Sequence, residues 1–204
     1  MTFSFVMAVL AATFDTFGKF FKHPLTIIIA FAVLLASACV IAGSKERRRK
    51  VPENYIWLAL ATLGESVFLA ACAADLKVAS VFTAIMATCI AVGGLFIAAL
   101  YTANSVNRDV LIRNMVKGLI GAFILNTVML VFVIFFYHPG DRTVVVITSS
   151  IMIVLAGAYI MFALLFIIVP GIEDRDDYIL GALRLYLEIA RLFFWLMKLL
   201  GEKK

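Results

Sequence analysis

Residues 156–201 read AGAYIMFALLFIIVPGIEDRDDYILGALRLYLEIARLFFWLMKLLG, and this stretch decides the fold. Its first part is an unbroken apolar run that Pro170 and Gly171 bring to a stop, because proline lacks the amide a helix needs to continue. Glu173, Asp174, Arg175, Asp176 and Asp177 form an acidic linker. The second part is apolar again but carries a charged seam. Gly181, Arg184, Glu188, Arg191, Trp195 and Lys198 recur at steps of three or four residues, so they share one helical face. The other faces are Leu, Ile, Phe and Tyr. Charge within a helix of bilayer length is costly and turns toward protein or a wet cavity. Two such helices joined by a polar turn predict a helical membrane bundle whose last helix is partly enclosed by the others.

Composition agrees. Of 204 residues, 64% are hydrophobic, and mean hydropathy is +1.07, whereas a soluble domain is about half apolar. The length suits one membrane domain over residues 1–204 with no separate soluble domain. The net charge of +5 does not point to nucleic acid. Its basic residues fall in loops between apolar runs, where they set topology and meet anionic headgroups. Cys39, Cys72 and Cys89 lie inside apolar runs and read as free buried thiols. Two histidines and no Cys or His pair at ligand spacing argue against a zinc site.

About seven spans are expected, at residues 2–14, 25–42, 56–74, 78–102, 115–137, 144–169 and 178–200. The first is short: at 1.5 Å per residue it covers roughly 20 Å of a hydrocarbon core roughly 30 Å thick. It lacks the basic leader of a secretory signal, so it reads as a shortened span leaning on the bundle or on another polypeptide through Phe3, Phe5, Val6, Val9, Leu10 and Phe14. Lys19, Lys22 and His23 make a linker, Lys45 to Lys50 a basic loop, and Asp75 with Lys77 a tight turn. Gly93 and Gly94 suggest close helix approach in the fourth span. Asn126, Thr148, Ser149 and Ser150 are expected to bond between helices. The basic loops lie mostly on the N-terminal side, which places the N-terminus in the cytosol, or in the matrix of a mitochondrion.

The C-terminal pattern resembles the transmembrane Bax-inhibitor-motif family, which includes the Lifeguard proteins. Asp176, Asp177, Tyr178, Ile179, Ala182, Leu183, Leu185, Tyr186, Leu187, Leu192 and Phe193 match its last helix, with Glu188 in place of an Asp. The likeness runs from about Pro52 to Gly201, and Glu65, in TLGES, corresponds to a Glu of the Lifeguard members. One departure stands out. The family's penultimate helix carries an aromatic-Asp-Thr-Gln run; here it reads Phe162, Ala163, Leu164, Leu165, so the first carboxylate is lost.

The resemblance implies a pH-sensitive calcium leak built on two close carboxylates that share a proton and attract a cation. With Ala163 opposite, that pair cannot form, and Arg184 and Arg191 flank Glu188 and would repel calcium. Glu188 therefore reads as ion-paired structure. Glu65 is either a proton or cation site or a structural acid paired with Arg184 or Arg191 across the bundle. Glu65, Arg184, Glu188 and Arg191 together make a buried charge network, the remnant of an ion path. The acidic linker lacks the spacing of a calcium-binding loop and reads as solvated. No nucleophile–base pair or phosphate loop is seen, so neither an enzyme nor a cofactor is expected.

Two functions follow. One is a transport-degenerate accessory or structural subunit of a larger organellar assembly, with the mitochondrial inner membrane favoured over endoplasmic reticulum or Golgi. The other is a calcium or cation leak modulating cell death. The expected partners are membrane lipids and other membrane-protein subunits, with calcium only in the second case.

Overall fold

The computed structural model describes residues 1–105, 107, 110, 113–114, 117–118, 120–121, 124–125, 127–128, 142–169 and 178–204, apart from the side chains of residues 45, 48 and 105. Lipid offers the backbone no hydrogen bonds, so a spanning segment must close its own. Helix is accordingly the regular structure of the described residues. They form α1 (Thr2–Thr13), α2 (Asp15–Lys22), α3 (Pro24–Gly43), α4 (Lys45–Arg49), α5 (Glu53–Ala73), α6 (Val78–Ser105), α7 (Arg142–Ile168) and α8 (Tyr178–Leu200). The predicted all-α membrane bundle is the observed architecture.

Helices α3, α5, α6 and α7 are each long and apolar enough to cross a bilayer. Helix α8 is long enough too, but Arg184, Glu188, Arg191 and Lys198 set it apart from those four. It packs against α7, α6, α5 and α3, which shield part of that charge from lipid. The predicted fifth span, with Asn126, lies largely outside the described residues, as do Pro170, Gly171 and the acidic linker. The residues described between 110 and 128 are helical. Gly118 there abuts α7 so closely that a Cβ would sit 2.7 Å from Cζ of Phe162.

Helix α5 and α8 run side by side in the same direction. Asn54 faces Tyr178, Tyr186 reaches the carbonyl of Thr62, and the rings of Phe68 and Phe194 lie 5.9 Å apart. The core between them and their neighbours holds Leu69, Val81, Ile160, Leu192 and Phe193, with Phe5 of α1 edge-on to Phe193 at 4.9 Å.

Small residues set the close crossings, though not where the sequence suggested. A Cβ on Gly93 or Gly94 would meet nothing within 4 Å among the described residues. The tight contact is Gly64, where a Cβ would lie 2.7 Å from the carbonyl oxygen of Ala30. Its missing side chain lets α3 seat directly on α5.

The N-terminus also differs from expectation. The predicted linker around Lys19 and Lys22 is helix α2, bent by 112° from α1. A short helix with Phe17 and Phe20 exposed and Phe21 buried suits the interfacial plane. Helix α1 lays Ser4, Ala8, Ala11 and Ala12 against the bundle. Phe5 and Val9 pack on the core, but Phe3, Val6 and Phe14 are about half exposed at 46%, 53% and 52%, so the bundle does not cover all six residues named above. The cysteines are free but not all buried: Cys39 and Cys89 are on the outer surface and Cys72 is half-buried.

Candidate functional site

A chain of hydroxyls joins three helices at the centre of the bundle. Ser4 Oγ of α1 lies 2.9 Å from Ser66 Oγ of α5 and 2.9 Å from the Tyr186 hydroxyl of α8. The Tyr186 hydroxyl also lies 3.2 Å from the Thr62 carbonyl, an alternative acceptor for its proton. Ser66 donates to the same carbonyl at 2.6 Å. In lipid such bonds are the main polar glue between helices. Ser4 fits because it is the small polar residue in an otherwise apolar turn, and it is fully buried. The sequence reading passed over this cluster. The one available signal was a lone serine in the apolar run of the first helix.

Glu65 is half-buried beside this cluster, one residue before Ser66, and close enough to act electrostatically on Tyr186 and Cys72. It makes no ion pair with any described residue. The expected pairing with Arg184 or Arg191 therefore does not form, and helix geometry gives the reason. Residues two apart on a helix point about 200° from each other. Tyr186, Ala190, Phe193 and Met197 turn toward α1, α5 and α6, which leaves Arg184, Glu188 and Arg191 on the opposite side of α8.

On that far side, Glu188 Oε2 lies 3.8 Å from Arg191 Nη1, with the two side chains 24% and 26% exposed. The Arg191 guanidinium sits 5.7 Å from the centre of the Tyr159 ring of α7, within cation–π range. Glu188 Oε2 is buried and has no hydrogen-bond partner among the described residues, so the pair is electrostatic and loose. Arg184 is exposed. Ala163 is half-buried one turn beyond Tyr159 and so on the same face of α7, beside this seam. The four charges are thus divided: Glu188 with Arg191, Arg184 at the surface, and Glu65 on the other side of α8. Nor do Thr148 and Ser149 bond between helices among the described residues, and Ser150 donates within α7 to the Val146 carbonyl at 2.8 Å.

The helix ends are fastened at both faces. At one, Ser44 caps α4, and Glu53 lies 3.9 Å from Arg47 and 3.8 Å from Lys50, which turns the predicted basic loop into a short capped helix. At the other, the C-terminal tail lies across the Asp75–Lys77 turn. The Lys77 amide donates to the Glu202 carbonyl at 2.8 Å and the Lys204 amide to the Asp75 carbonyl at 3.0 Å. Three ion pairs add to this: Lys77 with Glu202 at 2.9 Å, Lys204 with Asp15 at 3.1 Å, and Lys22 with Asp75 at 2.5 Å. The hydrogen bond from Lys77, reinforced by its charge, holds the Glu202 carboxyl below the usual carboxylate range.

The arrangement offers one half-buried carboxyl, Glu65, adjoining a chain of hydroxyls, and a separate carboxylate–guanidinium pair. Among the described residues no three His, Cys, Asp or Glu side chains converge as a metal-binding group. No curated protein and no solved structure matches the chain. One family profile does, that described as inhibitor of apoptosis-promoting Bax1, over residues 1–204. With that match spanning the whole length of an all-helical membrane bundle, the chain belongs to the Bax inhibitor family.

Proposed function

We infer that this chain is a transport-degenerate member of the Bax inhibitor family. On this reading it has no enzymatic activity and serves as an accessory or structural subunit of a larger organellar membrane assembly. The observation that carries the reading is the state of the seam on α8. Glu188 is held by Arg191 at 3.8 Å. A methyl group, Ala163, stands where the family resemblance places the partner carboxylate. A cation at Glu188 would sit beside the positive charge of Arg191. The half-exposed Phe3 and Val6 on a helix of 12 residues, with Phe14 just beyond it, support a protein neighbour in the membrane. The mitochondrial inner membrane is favoured over endoplasmic reticulum or Golgi because the resembling family has a branch there.

A second reading, a pH-sensitive calcium or cation leak modulating cell death, is favoured by Glu65 alone, which has no ion-pair partner among the described residues. Calcium flux in liposomes separates the two. Wild type should pass little or no calcium, and Ala163→Asp should gain flux. Robust pH-gated flux in the wild type would overturn the first reading. Sizing in mild detergent tests the assembly, since a lone 22.5 kDa chain would count against it.

A further inference from the structure

A cavity of about 670 Å³ opens at the end of the bundle where the tail is fastened. Its lining falls into two parts. Lys77, Arg142, Lys198 and Lys203 supply positive charge against one carboxylate, Glu202. Lys77 and Glu202 neutralise each other at 2.9 Å. Arg142, Lys198 and Lys203 form no ion pair of their own among the described residues, although the Arg142 charge also acts on Glu202, so the cavity keeps an excess of positive charge. The other part is apolar: Val145, Val146, Phe194 and Met197.

The two parts lie at different depths. Arg142 opens α7, and Val145 and Val146 follow within its first turn and a half. Lys198 is in the last turn of α8, and Phe194 lies one turn further in, with the Lys198 ammonium 5.6 Å from its ring centre. Arg142 and Lys198 thus stand near the ends of α7 and α8, and Val146 and Phe194 line the same cavity about one helical turn, roughly 5 Å, further along those helices. The volume is far larger than a phosphate group and falls in the range of pockets that hold small-molecule ligands.

We propose that this cavity is a binding site for an anionic phospholipid, its phosphate held between Arg142, Lys198 and Lys203 and the start of an acyl chain lying along Val146 and Phe194. The arginine fork suits phosphate oxygens, and the lysines add point charge. A zwitterionic headgroup would bring its own cation into a basic mouth and lose most of the gain. A free phosphate would leave the apolar wall unused. The site is independent of whether the bundle conducts an ion.

The test is binding to the full-length protein in neutral detergent, followed by native mass spectrometry and calorimetry. The probes are dioctanoyl phosphatidic acid, dioctanoyl phosphatidylcholine and inorganic phosphate. Phosphatidic acid should bind saturably, one per chain, and at least about tenfold tighter than the other two. Arg142→Gln with Lys198→Gln should weaken it roughly tenfold or more. Arg47→Gln with Lys50→Gln, at the other face, should leave it unchanged. Val146→Trp keeps every charge but fills the wall, and should weaken phosphatidic acid without strengthening phosphatidylcholine. Equal binding of the two lipids, or unchanged affinity in the charge variant and in Val146→Trp, would overturn the proposal. Inorganic phosphate binding as tightly as phosphatidic acid would overturn the lipid assignment.

Discussion

The same substitution, glycine to alanine, should have opposite effects at two positions of this bundle. At Gly64 a new Cβ would lie 2.7 Å from the Ala30 carbonyl oxygen and 3.1 Å from both Cβ and the amide nitrogen of Leu34. Two of these three neighbours are backbone atoms of α3 and cannot rotate away. The helices must separate by several tenths of an ångström along their most extensive shared face. Overpacking of this kind costs about 1–3 kcal/mol, while alanine's better helix propensity returns up to about 1 kcal/mol. With the full return, the net expectation for Gly64→Ala is a loss of up to about 2 kcal/mol. At Gly93 nothing lies within 4 Å among the described residues, so only the propensity gain operates. Gly93→Ala should stabilise by about 0.5–1 kcal/mol. Thermal unfolding in one detergent resolves the pair, since about 1 kcal/mol moves the midpoint by about 2–4 °C in a chain this long. Gly64→Ala should melt below wild type and Gly93→Ala at or above it. Equal shifts would mean that the α3–α5 separation is not set by Gly64, and the packing argument would fail.

Other perturbations follow from the same geometry. Ser4→Ala removes two bonds of 2.9 Å and should loosen α1 by about 1 kcal/mol, read as faster hydrogen exchange across Thr2–Thr13; unchanged exchange would show that the apolar contacts of α1 suffice. Tyr186→Phe loses the hydroxyl shared by Ser4 and Thr62 and should cost a similar amount in melting experiments. Glu188→Ala should cost only about 1 kcal/mol, because the pair it breaks is 3.8 Å long and a quarter exposed; a loss above about 3 kcal/mol would indicate a fully buried pair instead. The tail fastening should depend on pH. The Glu202 carboxyl is depressed by Lys77, so its contribution is complete above the ordinary carboxylate range and fades as pH falls through the lower folded value. Protection of the Lys204 amide should therefore be flat from neutral to mildly acidic pH and drop below that, and Glu202→Gln should weaken the dependence.

The spans were legible because lipid makes the criterion one-dimensional: about 20 mostly apolar residues with few or no charges. Helices α3, α5, α6 and α7 begin and end within about three residues of the expected bounds for that reason. What the sequence did not disclose is which faces meet. Gly93 and Gly94 looked like a contact by residue type, but size only permits close approach and does not place a neighbour. Gly64 makes the contact because α3 returns beside it, a tertiary fact. The α1–α2 bend was hidden because Phe14, Phe17, Phe20 and Phe21 mix with Asp15, Lys19 and Lys22, a pattern that a linker and an interfacial helix share.

The division of the charges has the same origin. Spacing alone put Arg184, Glu188 and Arg191 on one face of α8, and the structure keeps them together. Spacing could not say which neighbour that face meets. The face toward α1 and α5 belongs to Tyr186 and Phe193, whose hydroxyl and ring are both matched there by Ser4, Ser66 and Phe5. Turning α8 by half a circle to bring Glu188 to Glu65 would break those bonds and bury two carboxylates side by side, each disfavouring ionisation of the other. The observed rotation instead leaves Glu188 with Arg191 and Tyr159 on the α7 side, next to Ala163. An aspartate at residue 163 would enter beside an existing cation–carboxylate pair and compete for Arg191. Any ion site regained through Ala163→Asp would then depend on displacing Arg191. Adding Arg191→Gln to Ala163→Asp should increase calcium flux beyond that of Ala163→Asp alone.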